Sequence, residues 1–247
     1  MTAGGRWLVW SGQPEATAPA TIFCIPHAGG GAGSFRPWLD VAPDDVRLAL
    51  VRLPGRENRF TEPPIDDMRR LVGELADVVT AQSSARVGIL GHCSGALVAY
   101  ETARELARRR APVHRLFVSG RAAPDAEITE PPISRLPDAV LTRRLQELQA
   151  TPTIVLDREE MLPLVLPAIR ADFGLAERYS WFPGEPIRCG IDALAGSHDP
   201  WTSIDELRQW ARHATAGFRL RTYAGGRGFL LDRAADVVRD IAAAMRR

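Results

Sequence analysis

The sequence predicts an α/β fold, a mainly parallel sheet with helices on both faces and an inserted helical segment. Three observations carry that reading. Apolar strand-like runs alternate with amphipathic stretches along most of the chain, the pattern left by crossover connections between parallel strands. The pentapeptide Gly91-His92-Cys93-Ser94-Gly95 lies between the apolar run 87–90 and a helix-like run from Ala96, a strand–turn–helix context that suits an exposed nucleophile. Between Pro124 and Pro186 the alternation breaks down into a Pro-rich, helical stretch.

Taken in order, the apolar run 21–25 is a strand that ends in Pro26-His27-Ala28-Gly29-Gly30-Gly31, and 46–53 is a second, stopped by Pro54-Gly55. Residues 65–81 place Met68, Leu71, Val72, Leu75, Val78 and Val79 at helical spacing. Strand 87–90 enters the pentapeptide and helix 96–109 leaves it. Strands follow at 113–119, 187–195 and 218–223, and a helix at 234–245 closes the chain. Within the insertion, 136–148 and 161–179 read as amphipathic helices. An insertion of this kind lies over the strand ends and acts as a lid. The first 20 or so residues carry Trp7 and Trp10, then a loose Pro/Ala/Thr stretch expected to be mobile.

A chain of 247 residues is of single-domain size for this class. It is read as one domain over 1–247 with the lid at about 125–186. The formal net charge of +1 gives no electrostatic footprint for nucleic acid or an acidic membrane surface. All 31 basic side chains are arginine. No apolar run approaches the ~18 residues of a membrane span, and the N-terminus lacks signal-peptide patterning. Three cysteines, Cys24, Cys93 and Cys189, are too few for a disulfide framework and lack metal-ligand spacing. The expectation is a cytoplasmic, reduced protein with no metal and no cofactor.

Three segments carry candidate chemistry. Cys93, not Ser94, is the central residue of the pentapeptide, and its flanking glycines permit a tight turn. A helix N-terminus favours a thiolate there. The alternative is a buried structural cysteine. The Gly29–Gly31 turn lets backbone approach a substrate carbonyl, so an N–H there and the N–H of Ser94 would form an oxyanion hole; the alternative is a flexible turn. In Gly196-Ser197-His198-Asp199-Pro200, Asp199 stands where a carboxylate after a strand orients a basic partner. The alternative is an Asp-Pro helix start.

Five blocks together are similar to the type II thioesterases that accompany polyketide synthases and non-ribosomal peptide synthetases. They are Phe23-Cys24-Ile25-Pro26-His27-Ala28-Gly29-Gly30, Leu53-Pro54-Gly55-Arg56-Glu57-Asn58-Arg59, Gly91-His92-Cys93-Ser94-Gly95-Ala96, Ser119-Gly120-Arg121-Ala122-Ala123-Pro124 and Gly196-Ser197-His198-Asp199-Pro200. The resemblance spans nearly the full length. It implies an α/β-hydrolase fold with a mobile lid, a monomer, and a partner acyl or peptidyl carrier protein whose phosphopantetheine arm bears the acyl group. It also implies Cys93 as nucleophile, Asp199 as the acid, and Ala28 and Ser94 as oxyanion donors. Two departures stand out. Family members mostly have serine at the Cys93 position, and their catalytic histidine follows two glycines near the C-terminus. Here that segment is Gly225-Gly226-Arg227-Gly228-Phe229-Leu230-Leu231, with Arg227 at the expected base.

Arginine stays protonated at neutral pH and is no general base. A cysteine beside it keeps half of the usual machinery, because a cation favours the thiolate without any proton shuttle. Acylation by a thioester needs only that thiolate and an oxyanion hole. Discharge to water needs a base; discharge to a second thiol, or to a nucleophile within the acyl chain, needs less help. The expectation is acyl transfer or cyclising release. Two alternatives stay open: an editing hydrolase using His198 as substitute base, and a silent carrier-binding module. His92 and His27 adjoin the candidate site, while His114 and His213, the latter in a surface-like helix, read as structural.

Overall fold

The structure is a computed structural model that describes residues 3–12, 19–82, 85–111, 113–127, 131–148, 156–184 and 187–247. The stretch expected to be mobile falls largely on 13–18, outside the described residues. Seven strands form one sheet in the order β1-β3-β2-β4-β5-β6-β7: β1 (Leu8–Trp10), β2 (Ala20–Ile25), β3 (Val46–Val51), β4 (Arg86–His92), β5 (Arg115–Ser119), β6 (Gly190–Gly196) and β7 (Phe218–Tyr223). All neighbours pair in parallel except the edge strand β1, which runs antiparallel to β3 through Leu8↔Val51 and Trp10↔Ala49. The parallel α/β reading holds. At three residues, β1 is too short to show a period and lies outside the predicted strands.

The sheet is covered on both faces, which is why its inner strands read as unbroken apolar runs. On one face lie α1 (Ala3–Trp7), α2 (Met68–Ala81) and α3 (Ser94–Arg108); Leu71, Leu75, Tyr100 and Leu106 pack there against Ile89 and Ile191. On the other lie the 3-10 helix Ala32–Trp38 and the C-terminal helices α7 (Phe229–Asp232) and α8 (Ala234–Met245). Trp38, Val237, Ile241 and Met245 close that face over Ile22, Leu48 and Phe117. Trp38 also donates its indole N–H to the Leu230 carbonyl at 2.7 Å. Helix α2 begins three residues later than its periodicity suggests, because Asp67 caps it by accepting from the Arg70 N–H at 2.7 Å.

Between β5 and β6 the described residues hold α4 (Asp138–Glu147), a 3-10 turn at Glu159–Met161 and α5 (Leu162–Glu177). Both helices fall within the predicted stretches. Leu141, Leu145, Leu156, Leu166 and Ile169 form a small core of their own, separate from the two sheet cores. Residues 128–130, 149–155 and 185–186 of this insertion lie outside the described residues. After β6 comes α6 (Ile204–Arg208), opened by a capping box of Ser203 and Glu206.

Candidate active site

Cys93 stands between β4 and α3 with φ 54° and ψ −122°, a conformation that side chains rarely adopt and that persists only where surroundings enforce it. Those surroundings are visible. The Cys93 N–H donates to the Ser119 carbonyl at 2.8 Å, and its carbonyl accepts from Ala96 N–H at 3.0 Å. Both flanking glycines are sterically required: a Cβ on Gly91 would fall 2.1 Å from the Gly95 oxygen, and one on Gly95 would fall 2.4 Å from the Pro26 oxygen. The Gly-x-Cys-x-Gly spacing is therefore what lets β2, β4 and α3 meet at one point. Ser94 is the first residue of α3 and buried, so its N–H has no acceptor within the helix.

Two more loops converge on Cys93. After β6 and β7 they are stitched together: Ser197 N–H donates to the Tyr223 carbonyl at 2.8 Å and His198 N–H to the Gly225 carbonyl at 2.9 Å. A Cβ on Gly196 would lie 2.3 Å from the Gly226 oxygen. This close approach brings Asp199 and Arg227 side by side. Arg227 Nη2 donates to Cys93 Sγ at 2.8 Å, and Nη1 lies 4.0 Å from Asp199 Oδ1, whose side chain is only 3 % exposed. Asp199 does not start a helix, because Ser203 caps α6. Instead Asp199 Oδ1 accepts the Trp201 N–H at 2.9 Å, which fixes the carboxylate behind the guanidinium.

The third wall is the turn after β2. Gly30 N–H donates to the His27 carbonyl at 2.9 Å, and Gly29 takes φ +74°, the value a type II turn needs at its third residue. Ala28 is buried and lines a cavity of about 810 Å³ together with Cys93, His27, His92 and Arg227. Further lining comes from the insertion, including Ile133, Leu136, Phe173 and Trp181.

Among the histidines, His27 and His92 line this cavity, with ring centroids 6.0 Å apart. His92 bonds through Nδ1 to Ser119 Oγ at 3.1 Å. Burial, then the neighbouring His27 and Arg227, pushes its imidazole well below the ordinary histidine range. His198 is exposed, bonded through Nδ1 to Ser197 Oγ at 2.8 Å, and is not among the lining residues. His213 is not on the surface: it is 3 % exposed. Its Nε2 meets Asp125 Oδ1 at 2.8 Å and its Nδ1 meets the Tyr100 hydroxyl at 3.3 Å. The sequence misled here because Arg208, Gln209 and Arg212 give the helical segment a polar look. Sequence reasoning also assigned no role to Arg56 or Asp172, a buried ion pair with N–O distance 2.5 Å beside the Gly29 turn. No group of three or more potential metal ligands occurs among the described residues. None of the described helices is long and apolar enough to cross a membrane.

The model of the thioesterase domain family matches residues 20–245. The chain belongs to that family. It is 34% identical over 229 residues to the gramicidin S biosynthesis protein GrsT of Aneurinibacillus migulanus, covering 92% of this chain and 89% of GrsT. It is 35% identical to thioesterase PikA5 of Streptomyces venezuelae, over 93% of this chain and 82% of PikA5. Among solved structures, BorB, the type II thioesterase of the borrelidin cluster, superposes with TM-score 0.88 at 34% identity over 97% of both chains. YbtT, a type II thioesterase of the yersiniabactin pathway, gives 0.87 at 26% identity over 97% of this chain and 98% of its own. The fold is thus that of the α/β-hydrolase-like thioesterases, and the family's structural neighbours include type II enzymes.

Proposed function

We propose that this thioesterase-family protein processes acyl groups presented as phosphopantetheine thioesters by carrier proteins of polyketide or non-ribosomal peptide assembly. In this reading it works through an acyl-Cys93 intermediate and favours transfer or cyclising release over hydrolysis. One observation carries the reading: the Arg227 guanidinium donates to Cys93 Sγ at 2.8 Å, where the family resemblance implies histidine. A guanidinium N–H aimed at sulfur stabilises negative charge on it but cannot accept a proton.

The chemistry follows from that pairing. The Cys93 thiolate attacks the thioester carbonyl; a C–S bond to Cys93 forms as the C–S bond to pantetheine breaks. The pantetheine sulfur leaves as thiolate and takes its proton from solvent. The N–H groups of Ala28 and Ser94 hold the oxyanion between these events. Asp199 keeps Arg227 facing Cys93. In this reading the inserted helices α4 and α5 of a single domain act as a lid, a role supported by the insertion residues that line the cavity of about 810 Å³.

Discharge decides the product. Water has a pKa of ~15.7, and a general base is worth ~10²- to 10⁴-fold. His198, the substitute base required by a hydrolase reading, is turned to Ser197 and away from the cavity lining. An acceptor thiol ionises more readily than water, and an acidic carbon or an amine within the bound chain also needs less activation. The test is intact mass after exposure to an acyl-pantetheine thioester, with Cys93→Ala as control. A Cys93-dependent acyl adduct is expected. No adduct and no turnover would leave a silent carrier-binding module.

A further inference from the structure

The block Pro54-Gly55-Arg56-Glu57 has no part in the chemistry above, yet it grips the turn that carries Ala28. Arg56 lies in the loop after β3 and its side chain is 7% exposed; its partner Asp172 sits on α5 and is 6% exposed. Their contact is bidentate: Arg56 Nη1 donates to Asp172 Oδ2 at 2.5 Å and Nη2 to Oδ1 at 3.0 Å. The same two side chains also hold the turn. Gly29 N–H donates to Asp172 Oδ2 at 2.7 Å, and Arg56 Nη1 donates to the Gly30 carbonyl at 2.9 Å. The next residue, Glu57, accepts from Gly33 N–H at 2.8 Å and from Arg52 Nε at 3.0 Å. Both ends of the glycine turn are thereby tied to the β3 loop.

Helix α5 presses on the same peptide. A Cβ on Gly29 would lie 2.4 Å from Ile169 Cγ1, so the helix touches the turn one helical step from Asp172. In a type II turn the middle peptide, here the Ala28 carbonyl with the Gly29 N–H, can flip to the type I arrangement unless something holds it. Asp172 accepts its N–H and holds it. Burying two charges is worthwhile only when their remaining hydrogen-bonding capacity is met, and here it is met by the turn's own backbone.

We propose that Arg56 and Asp172 are positioning residues that lock the Gly29–Gly30 backbone to helix α5, so that the inserted helices and the Ala28 oxyanion donor are set as one unit. The inference rests on the proposed acyl-Cys93 chemistry and on Ala28 as a donor. Its consequence is that a displaced α5 leaves the thiolate intact but removes the geometry that stabilises the tetrahedral intermediate.

Two reactions of Cys93 separate the consequences. Acylation by an acyl-N-acetylcysteamine thioester needs the oxyanion hole; alkylation by iodoacetamide is a displacement at saturated carbon and needs only the thiolate. For Asp172→Asn, and for the double variant Arg56→Met/Asp172→Leu, which leaves no unpaired buried charge, with folding checked by the urea midpoint, the acylation rate should fall at least ~10-fold, against the ~10²- to 10³-fold cost of losing an oxyanion donor outright. Alkylation should stay within about twofold of wild type under the same conditions. Equal losses in both reactions, or an unchanged acylation rate in either variant, would overturn the proposal. A wild-type protein that alkylates but never acylates would instead overturn the parent reading.

Discussion

At the residue scale, the proposed chemistry rests on Cys93 and Arg227 together, because the guanidinium donates to the sulfur at 2.8 Å. The Cys93 backbone at φ 54° is accommodated by two obligatory glycines, and the guanidinium beside the sulfur donates to it but cannot relay its proton. In the proposed reading neither side chain is interchangeable with its family counterpart alone. In Cys93→Ser a hydroxyl would face a group unable to take its proton, so acyl-enzyme formation should drop by ~10² or more, measured by quenched-flow mass spectrometry. Arg227→His, next to an Asp199 already fixed by Trp201 N–H, should gain thioester hydrolysis by at least ~10-fold, towards the range of a restored general base. Unchanged hydrolysis in that variant would detach position 227 from the base role.

At the element scale, the glycine turn after β2, the β3 loop and α5 meet in a space that admits no side chain at Gly29. Gly29→Ala is expected to destabilise the protein by about 1–3 kcal/mol, through overpacking against Ile169 and the positive φ. A urea midpoint shifted at constant slope checks this. Strand runs, α2, α3, α8 and the two described helices of the insertion were legible in the sequence because their periods persist over several residues. The edge strand β1 and the 3-10 helix Ala32–Trp38 were not: one has three residues, and the other repeats every third position around an internal Pro37. Spacing alone could not join Cys93 to Arg227, 134 residues apart, or Arg56 to Asp172, 116 apart. Family resemblance supplied the first pair. The second required coordinates, since Arg56 belonged to a recognisable block without a visible reason for being there.

At the scale of the whole molecule, the sheet is a base with a core on each face, and the insertion carries a third small core of its own. Its attachment through Arg56 and Asp172 reaches the turn at the strand ends, so a motion of the insertion would be felt at the chemistry. The base itself has a built-in acid sensitivity. His92 is buried with its imidazole held well below the ordinary range by burial, His27 and Arg227, while its bond to Ser119 opposes this only in part. The unfolded chain therefore binds this proton first as the pH falls, so stability is full above ~6.5 and declines below it. The urea midpoint should fall between pH 7.5 and 5.5, and His92→Gln should remove part of that fall. An identical pH dependence in the variant would assign the loss to other groups.

In the proposed reading acyl-Cys93 faces the Arg227 guanidinium where a histidine base would stand, so water is activated poorly. The most direct test of this claim is to form the acyl-enzyme, remove excess thioester, and follow loss of the adduct by intact mass in buffer with and without a pantetheine thiol. The expected result is discharge to the thiol at least ~10²-fold faster than to water, with the acyl group recovered as a new thioester. Rapid loss to free acid at a rate indifferent to the thiol would contradict the account.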